Sequence, residues 1–128
     1  MKIHLTVAGD INLVKSVSSQ GIVIGDRTYV TSLILSPADI RPDWSPASLD
    51  DLTDQDFIPV IDCAPEVVLL GTGGRLRFPA ASVTAPLIAR AIGFEVMDTG
   101  AACRTYNILA SEGRKVVAAL LRIAHDDR

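Results

Sequence analysis

Residues 12–18 alternate, with Leu13, Lys15 and Val17 on one side and Asn12, Val14 and Ser16 on the other, as in a half-buried strand. Ser18-Ser-Gln-Gly21 reads as a turn and Gly21-Ile-Val-Ile24 as a second strand. Gly25-Asp26 is a tight turn whose glycine can take positive φ, and a third strand rich in β-branched residues is expected over residues 28–35. The amino-terminal part is therefore a β-meander.

Residues 36–46 hold three of the seven prolines and Trp44, so an irregular surface crossing is expected there, with Trp44 folding over the core edge. Ser48 can cap a short helix through about Phe57, burying Leu49, Leu52 and Phe57 and exposing Asp50, Asp51, Asp54 and Asp56. Beyond Pro65 the pattern changes. Glu66-Val-Val-Leu-Leu70 is a continuous apolar run ended by Gly71, which predicts a strand buried on both faces. A helix should start at about Ser82 or Thr84, carry Pro86 in its first turn and end at Gly93. Residues 94–97 form a short strand, 100–112 a second helix ended by Gly113, and 114–121 a last strand. The order β-α-β-α-β calls for a parallel sheet with right-handed crossovers.

Composition narrows the class. The 128 residues fit one domain, 1–128, and 48% hydrophobic against 5% aromatic residues means an aliphatic core. No apolar run reaches the ~20 residues of a membrane span, so no direct membrane insertion is expected. Met1-Lys-Ile-His-Leu-Thr6 does not look like a signal or transit peptide, and a cytoplasmic location is the expectation. Cys63 and Cys103 lack metal-knuckle spacing, and the only histidines, His4 and His125, lie at opposite ends. Free thiols and no metal or cofactor are expected. Residues 1–64 carry nine acids against four bases and residues 65–128 six acids against eight bases, for a net −3. The bases are dispersed, which argues against a nucleic-acid footprint.

The densest chemistry lies between Met97 and Arg114. With Thr99 as N-cap, Ala102, Cys103, Tyr106, Leu109 and Ala110 form an apolar stripe facing the sheet, and Arg104, Asn107 and Ser111 form the polar flank. The amides of Gly100, Ala101 and Ala102 are poorly shielded, with Arg104 near and Asp98 beside them, so a small anion could approach. This helix start follows a strand at the carboxyl end of a parallel sheet, where open α/β sheets bind ligands. Gly71-Thr-Gly-Gly74 leaves the buried strand at the same edge and could add an anion nest, although it matches no phosphate-loop spacing and a plain tight turn explains it as well. The candidate ligand-binding set is Gly71, Thr72, Gly73, Asp98, Thr99, Ala102, Cys103, Arg104 and Asn107. Close helix-on-sheet packing by small residues, with Arg104 and Asn107 bonded to loop carbonyls, is the competing explanation. Cys103 near a helix start suggests a lowered pKa, but no histidine is near to act as its base, so no catalytic set emerges.

Five segments carry a resemblance: Ile22-Val-Ile-Gly25 with Tyr29; Trp44; Glu66-Val-Val-Leu-Leu-Gly-Thr-Gly73; Gly93-Phe-Glu-Val-Met-Asp-Thr99; and Ala102-Cys-Arg-Thr-Tyr-Asn-Ile-Leu109 with Glu112-Gly-Arg114. Through them nearly the whole chain resembles a family of small α/β proteins, a domain of unknown function, that includes the mitochondrial complex I (NADH:ubiquinone oxidoreductase) assembly factor 3. The resemblance implies a compact domain with a central mixed sheet flanked by helices and a hairpin. Combined with the pattern, the expected fold is α/β: an amino-terminal β-meander plus β-α-β-α-β, with a mostly parallel (mixed) sheet, layered between helices. Eukaryotic members act by binding partner proteins, and from Met1-Lys-Ile-His-Leu-Thr6 a targeting extension of the mitochondrial kind is not expected for this chain. The function expected is that of a non-catalytic protein-interaction or assembly-factor-like protein with a protein partner. The alternative is a small-molecule or anion-binding protein, or an enzyme, with a pocket between the Gly71–Gly74 loop and the helix starting at Thr99.

Overall fold

The computed structural model describes residues 10–125; the expectations placed on Met1 to Thr6 and on His4 lie outside them. The meander begins as predicted, with β1 (Val14–Ser18), β2 (Gly21–Ile24) and β3 (Arg27–Tyr29) forming an antiparallel three-stranded sheet. Gly25 takes φ +62° at the β2–β3 turn.

The third strand does not run through to Leu35. It stops at Tyr29, and after residues 30–32 a separate strand, β4 (Leu33–Leu35), enters a different sheet. Ser32 explains the break. Its carbonyl accepts from the Trp44 amide at 3.2 Å and its hydroxyl accepts from the Arg122 amide at 3.1 Å, so it binds neighbours outside the meander. Residues 36–46 are largely irregular as expected, but contribute β5 (Ile40–Arg41), paired antiparallel to β4.

The helix expected from Ser48 to Phe57 is instead two 3-10 turns, Leu49–Asp51 and Asp54–Phe57, followed by the short α1 (Ile58–Ile61). Leu52 is extended (ψ 131°) and interrupts the helical path, and Ser48 makes no side-chain cap. Thr53 caps instead, in a reciprocal box with Asp56. Leu52 and Phe57 are buried and Leu49 packs half-buried against the same core, as expected. Trp44 covers the edge of Phe57 at 6.2 Å, its indole N–H donates to the Asp56 carbonyl, and Phe94 stacks edge-on from the other side.

From Val67 on, the βαβ grammar holds: β6 (Val67–Gly71), α2 (Ala81–Ala89), β7 (Gly93–Met97), α3 (Thr99–Ser111) and β8 (Val116–Leu120). Two corrections concern α2. It starts earlier than Ser82, so Pro86 lies inside the helix, where it costs one backbone hydrogen bond. It also ends before Gly93. Ala91 adopts φ 56° while its amide bonds the Ile88 carbonyl and the Ile92 amide that of Leu87, a Schellman closure usually made by glycine. Gly113 (φ +80°) makes the same closure for α3, as predicted.

The second sheet runs β5-β4-β8-β6-β7, parallel across β8, β6 and β7 and antiparallel at β4 and β5. Alternation along its central strands builds two cores. Val116, Ala118, Leu120 and Leu69 face α3 and the meander; Val117, Ala119, Val68 and Leu70 face α2, Phe57 and Trp44. The result is a layered α/β fold with a mixed sheet in the middle. Ala118 and Ala119 keep β8 thin enough for close approach on both faces.

Candidate functional site

The carboxyl ends of β6, β7 and β8 meet at one side chain. Thr99, fully buried, is the first residue of α3 and not its cap. Asp98 is the N-cap, its carboxylate accepting from the Ala101 amide at 2.9 Å. Asp98 and Thr99 are both good capping residues, and the one-residue shift turns Thr99 inward. Its hydroxyl donates to the Leu121 carbonyl (2.6 Å) and accepts from the Gly73 amide (2.8 Å). Backbone bonds reinforce the joint: Thr99 amide to Gly73 carbonyl at 2.8 Å, Thr72 amide to Met97 carbonyl at 2.8 Å, and Leu121 amide to Gly71 carbonyl at 3.0 Å.

Gly71 is required by this clasp. A Cβ there would stand 2.9 Å from the Thr99 Cα, a backbone atom that cannot yield. The Gly71–Gly74 loop and the start of α3 are thus brought together, in direct contact. Their amides at Thr72, Gly73, Thr99 and Ala101 bond groups of the chain itself, and the Ala102 amide bonds the Asp98 carbonyl.

The remaining candidates lie on the α3 side. Ala102, Cys103, Tyr106 and Ala110 are buried against the sheet and Leu109 packs beside them, the stripe predicted. Asn107 hooks β1 with both ends of its amide: its Oδ1 accepts from the Val14 N–H at 2.9 Å and its Nδ2 donates to the Val14 carbonyl at 2.8 Å. Tyr106 donates its hydroxyl proton to the Asn12 carbonyl at 2.8 Å. These contacts hold the meander against α3 at the point where the β1–β2 register shifts. Arg104 is exposed and, with Lys15, Gly100, Cys103 and Asn107, borders a cavity of about 340 Å³.

Burial decides the thiol chemistry. Desolvation pushes the Cys103 pKa up to about 12; the Arg104 charge, which favours the thiolate, is the smaller effect and Asp98 opposes it. At neutral pH Cys103 is a protonated packing residue. Burial likewise raises Cys63, whose Sγ lies 3.4 Å from the Pro59 carbonyl. Among the described residues no three His, Cys, Asp or Glu side chains converge in a way that could hold a metal. No helix among them is long and apolar enough to cross a membrane.

The sequence places Arg75 and Arg77 beside the Gly71–Gly74 loop, but not Arg122 or the Ser48 turn that join them at this end of the sheet. Thr72 and Gly73 border a cavity of about 270 Å³ whose other walls bring Arg75, Arg77 and Arg122 together with the Ser48 turn. Arg122 is distant in sequence from the other two, and no local pattern announces the meeting. The loop that carries Arg75 and Arg77 also exposes Leu76 (52%) and Phe78 (72%).

The molecule is thus a layered α/β domain whose parallel strand ends are joined by a buried threonine. The chain belongs to the family described as protein of unknown function (DUF498/DUF598), whose model matches residues 14–121. It is similar to NADH dehydrogenase [ubiquinone] 1 alpha subcomplex assembly factor 3 of Bos taurus, 33% identical over 111 residues, covering 84% of this chain and 59% of that protein. The chain thus spans about three fifths of the length of that relative. Among solved structures, a Bordetella parapertussis protein is 35% identical with TM-score 0.81, covering 88% of this chain and 96% of its own. The Bordetella pertussis protein described as a Mth938-like domain is 28% identical with TM-score 0.79, covering 93% and 89%.

Proposed function

We propose that this chain is a non-catalytic protein-interaction module with an assembly-factor-like role, acting in the cytoplasm on a protein partner. The observation that carries this reading is its relation, over 84% of its length, to a protein named as an assembly factor. The geometry agrees with it in two respects. The Cys103 thiol near the helix start is buried and protonated, and Asn107 spends both ends of its amide on β1. The surface offers Leu76 and Phe78, two exposed apolar side chains two residues apart on the loop that also carries Arg75 and Arg77. Apolar anchors beside arginine are the usual centre of a protein-binding patch. A respiratory NADH dehydrogenase subunit is the first partner to test, given the name of the relative.

The experiment places a photo-crosslinking amino acid at Phe78 in the native host. A discrete crosslinked protein is expected, lost when Leu76 is also changed to Ser, with the thermal unfolding midpoint unchanged. Absence of any discrete adduct from Phe78, or an adduct that survives Leu76→Ser unaltered, overturns the proposal.

A further inference from the structure

The sequence points to the amides of the Gly71–Gly74 loop as an anion cradle, yet the structure spends those of Thr72 and Gly73 on Met97 and Thr99. Positive charge gathers on the other wall of the same loop. We propose that the cavity bordered by Arg75, Arg77, Arg122, Thr72 and Ser48 is a binding site for a phosphate-type oxyanion, either free phosphate or the phosphate group of a small ester. This stands on the arginine geometry alone and is independent of the protein-interaction reading.

Three observations carry it. First, three arginine residues border a cavity of about 270 Å³ whose lining among the described residues includes one acidic residue, Asp50. Arg77 reaches Asp50 at 2.7 Å; among the described residues Arg75 and Arg122 have no carboxylate partner. In a chain of net charge −3, a surplus of like charge around one hollow is a local arrangement and not a bulk property. Second, the backbone beneath each arginine is fixed. The Thr72 hydroxyl donates to the Arg75 carbonyl at 2.6 Å and accepts from the Arg77 amide at 3.3 Å, folding the loop back on itself. The Arg122 amide donates to the Ser32 hydroxyl at 3.1 Å, at the end of the clasped β8. Little ordering of the main chain then remains to oppose binding. Third, the cavity lies at the carboxyl ends of β6 and β8, where open α/β sheets place ligands.

Size and donor type select the ligand. A volume of about 270 Å³ suits a phosphate group with a short ester tail. Guanidinium forks match tetrahedral oxyanions bidentately and bind chloride only as a point charge. Arg77 is held by Asp50, so Arg75 and Arg122 are the residues that grip.

The test is a titration of the whole ¹⁵N-labelled chain with inorganic phosphate, glycerol phosphate and sodium chloride at constant ionic strength. Saturable shifts are expected at Thr72, Gly73 and Arg122 with phosphate and its ester and not with chloride; tighter binding of the ester identifies a phosphorylated metabolite as the source, and equal binding identifies free phosphate. Arg75→Gln and Arg122→Gln should each weaken binding by roughly tenfold, the loss of one charge-assisted fork, with the spectrum otherwise unchanged. Arg104→Gln, on the far side of the clasp, should leave it intact. Shifts that chloride reproduces, that fail to saturate, or that follow Arg104 and not Arg122 overturn the proposal.

Discussion

Replacing Thr99 by Val removes one oxygen atom and keeps the shape of the side chain, so it isolates the clasp from the packing around it. The hydroxyl serves two buried partners, the Gly73 amide at 2.8 Å and the Leu121 carbonyl at 2.6 Å. Both lie where water cannot substitute, since Thr99 is 0% exposed and Gly71 to Gly73 are buried. Stranding a buried donor or acceptor costs about 1–3 kcal/mol, so the pair should cost about 2–6 kcal/mol, with no cavity cost because Val fills the space. Urea unfolding read by the fluorescence of the single tryptophan, Trp44, measures this directly. With a slope of about 1–3 kcal/mol/M the midpoint should fall by about 1 M or more. Thr99→Ser keeps the oxygen and loses a methyl group, and should cost about 1 kcal/mol. Hydrogen exchange at the Gly73 amide should accelerate in the Val variant and stay near native in the Ser variant. A Val variant within about 0.5 kcal/mol of the parent refutes the clasp as an energetic element.

Asn107→Ala removes both bonds to Val14 and should cost about 1–3 kcal/mol; exchange should accelerate in β1 and β2 and leave β6 and β8 unchanged. For Cys103 the folded pKa of about 12 lies above the ordinary 9.0, so above pH 9 the unfolded chain loses the proton first and stability falls as pH rises towards 12. Below pH 9 the group contributes no slope. Unfolding free energies from urea titrations at pH 8 and pH 10 should differ by about 1.4 kcal/mol more in the parent than in Cys103→Ala. A thiol reagent at pH 8 should label half-buried Cys63 before Cys103, and Cys103 only as the chain opens.

What the sequence disclosed follows physical range. The buried run of β6, the apolar stripe of α3 and the closure at Gly113 are local patterns, and each was legible in its own few residues. The division of residues 28–35 between two sheets was not, because Ser32 is claimed by Trp44 and Arg122, far along the chain. Pro86 sits inside α2 although its first-turn preference suggested otherwise; what tolerates it is the burial of Leu87 and Thr84, a tertiary effect. The pairing of the Gly71 loop with the start of α3 could be inferred from parallel topology. Its tightness could not, since it depends on whether Asp98 or Thr99 caps the helix, and both residue types cap well.

The β2–β3 turn offers a practical handle. A side chain at Gly25 would meet open space, and among the described residues β3 pairs with β2 alone, so the tip of this hairpin stands apart from both the clasp and the arginine cavity. A fluorophore or short epitope inserted between Gly25 and Asp26 would travel with the folded molecule as a reporter and leave the strand-end chemistry undisturbed, so partner capture and ligand titration can be read from one tagged chain.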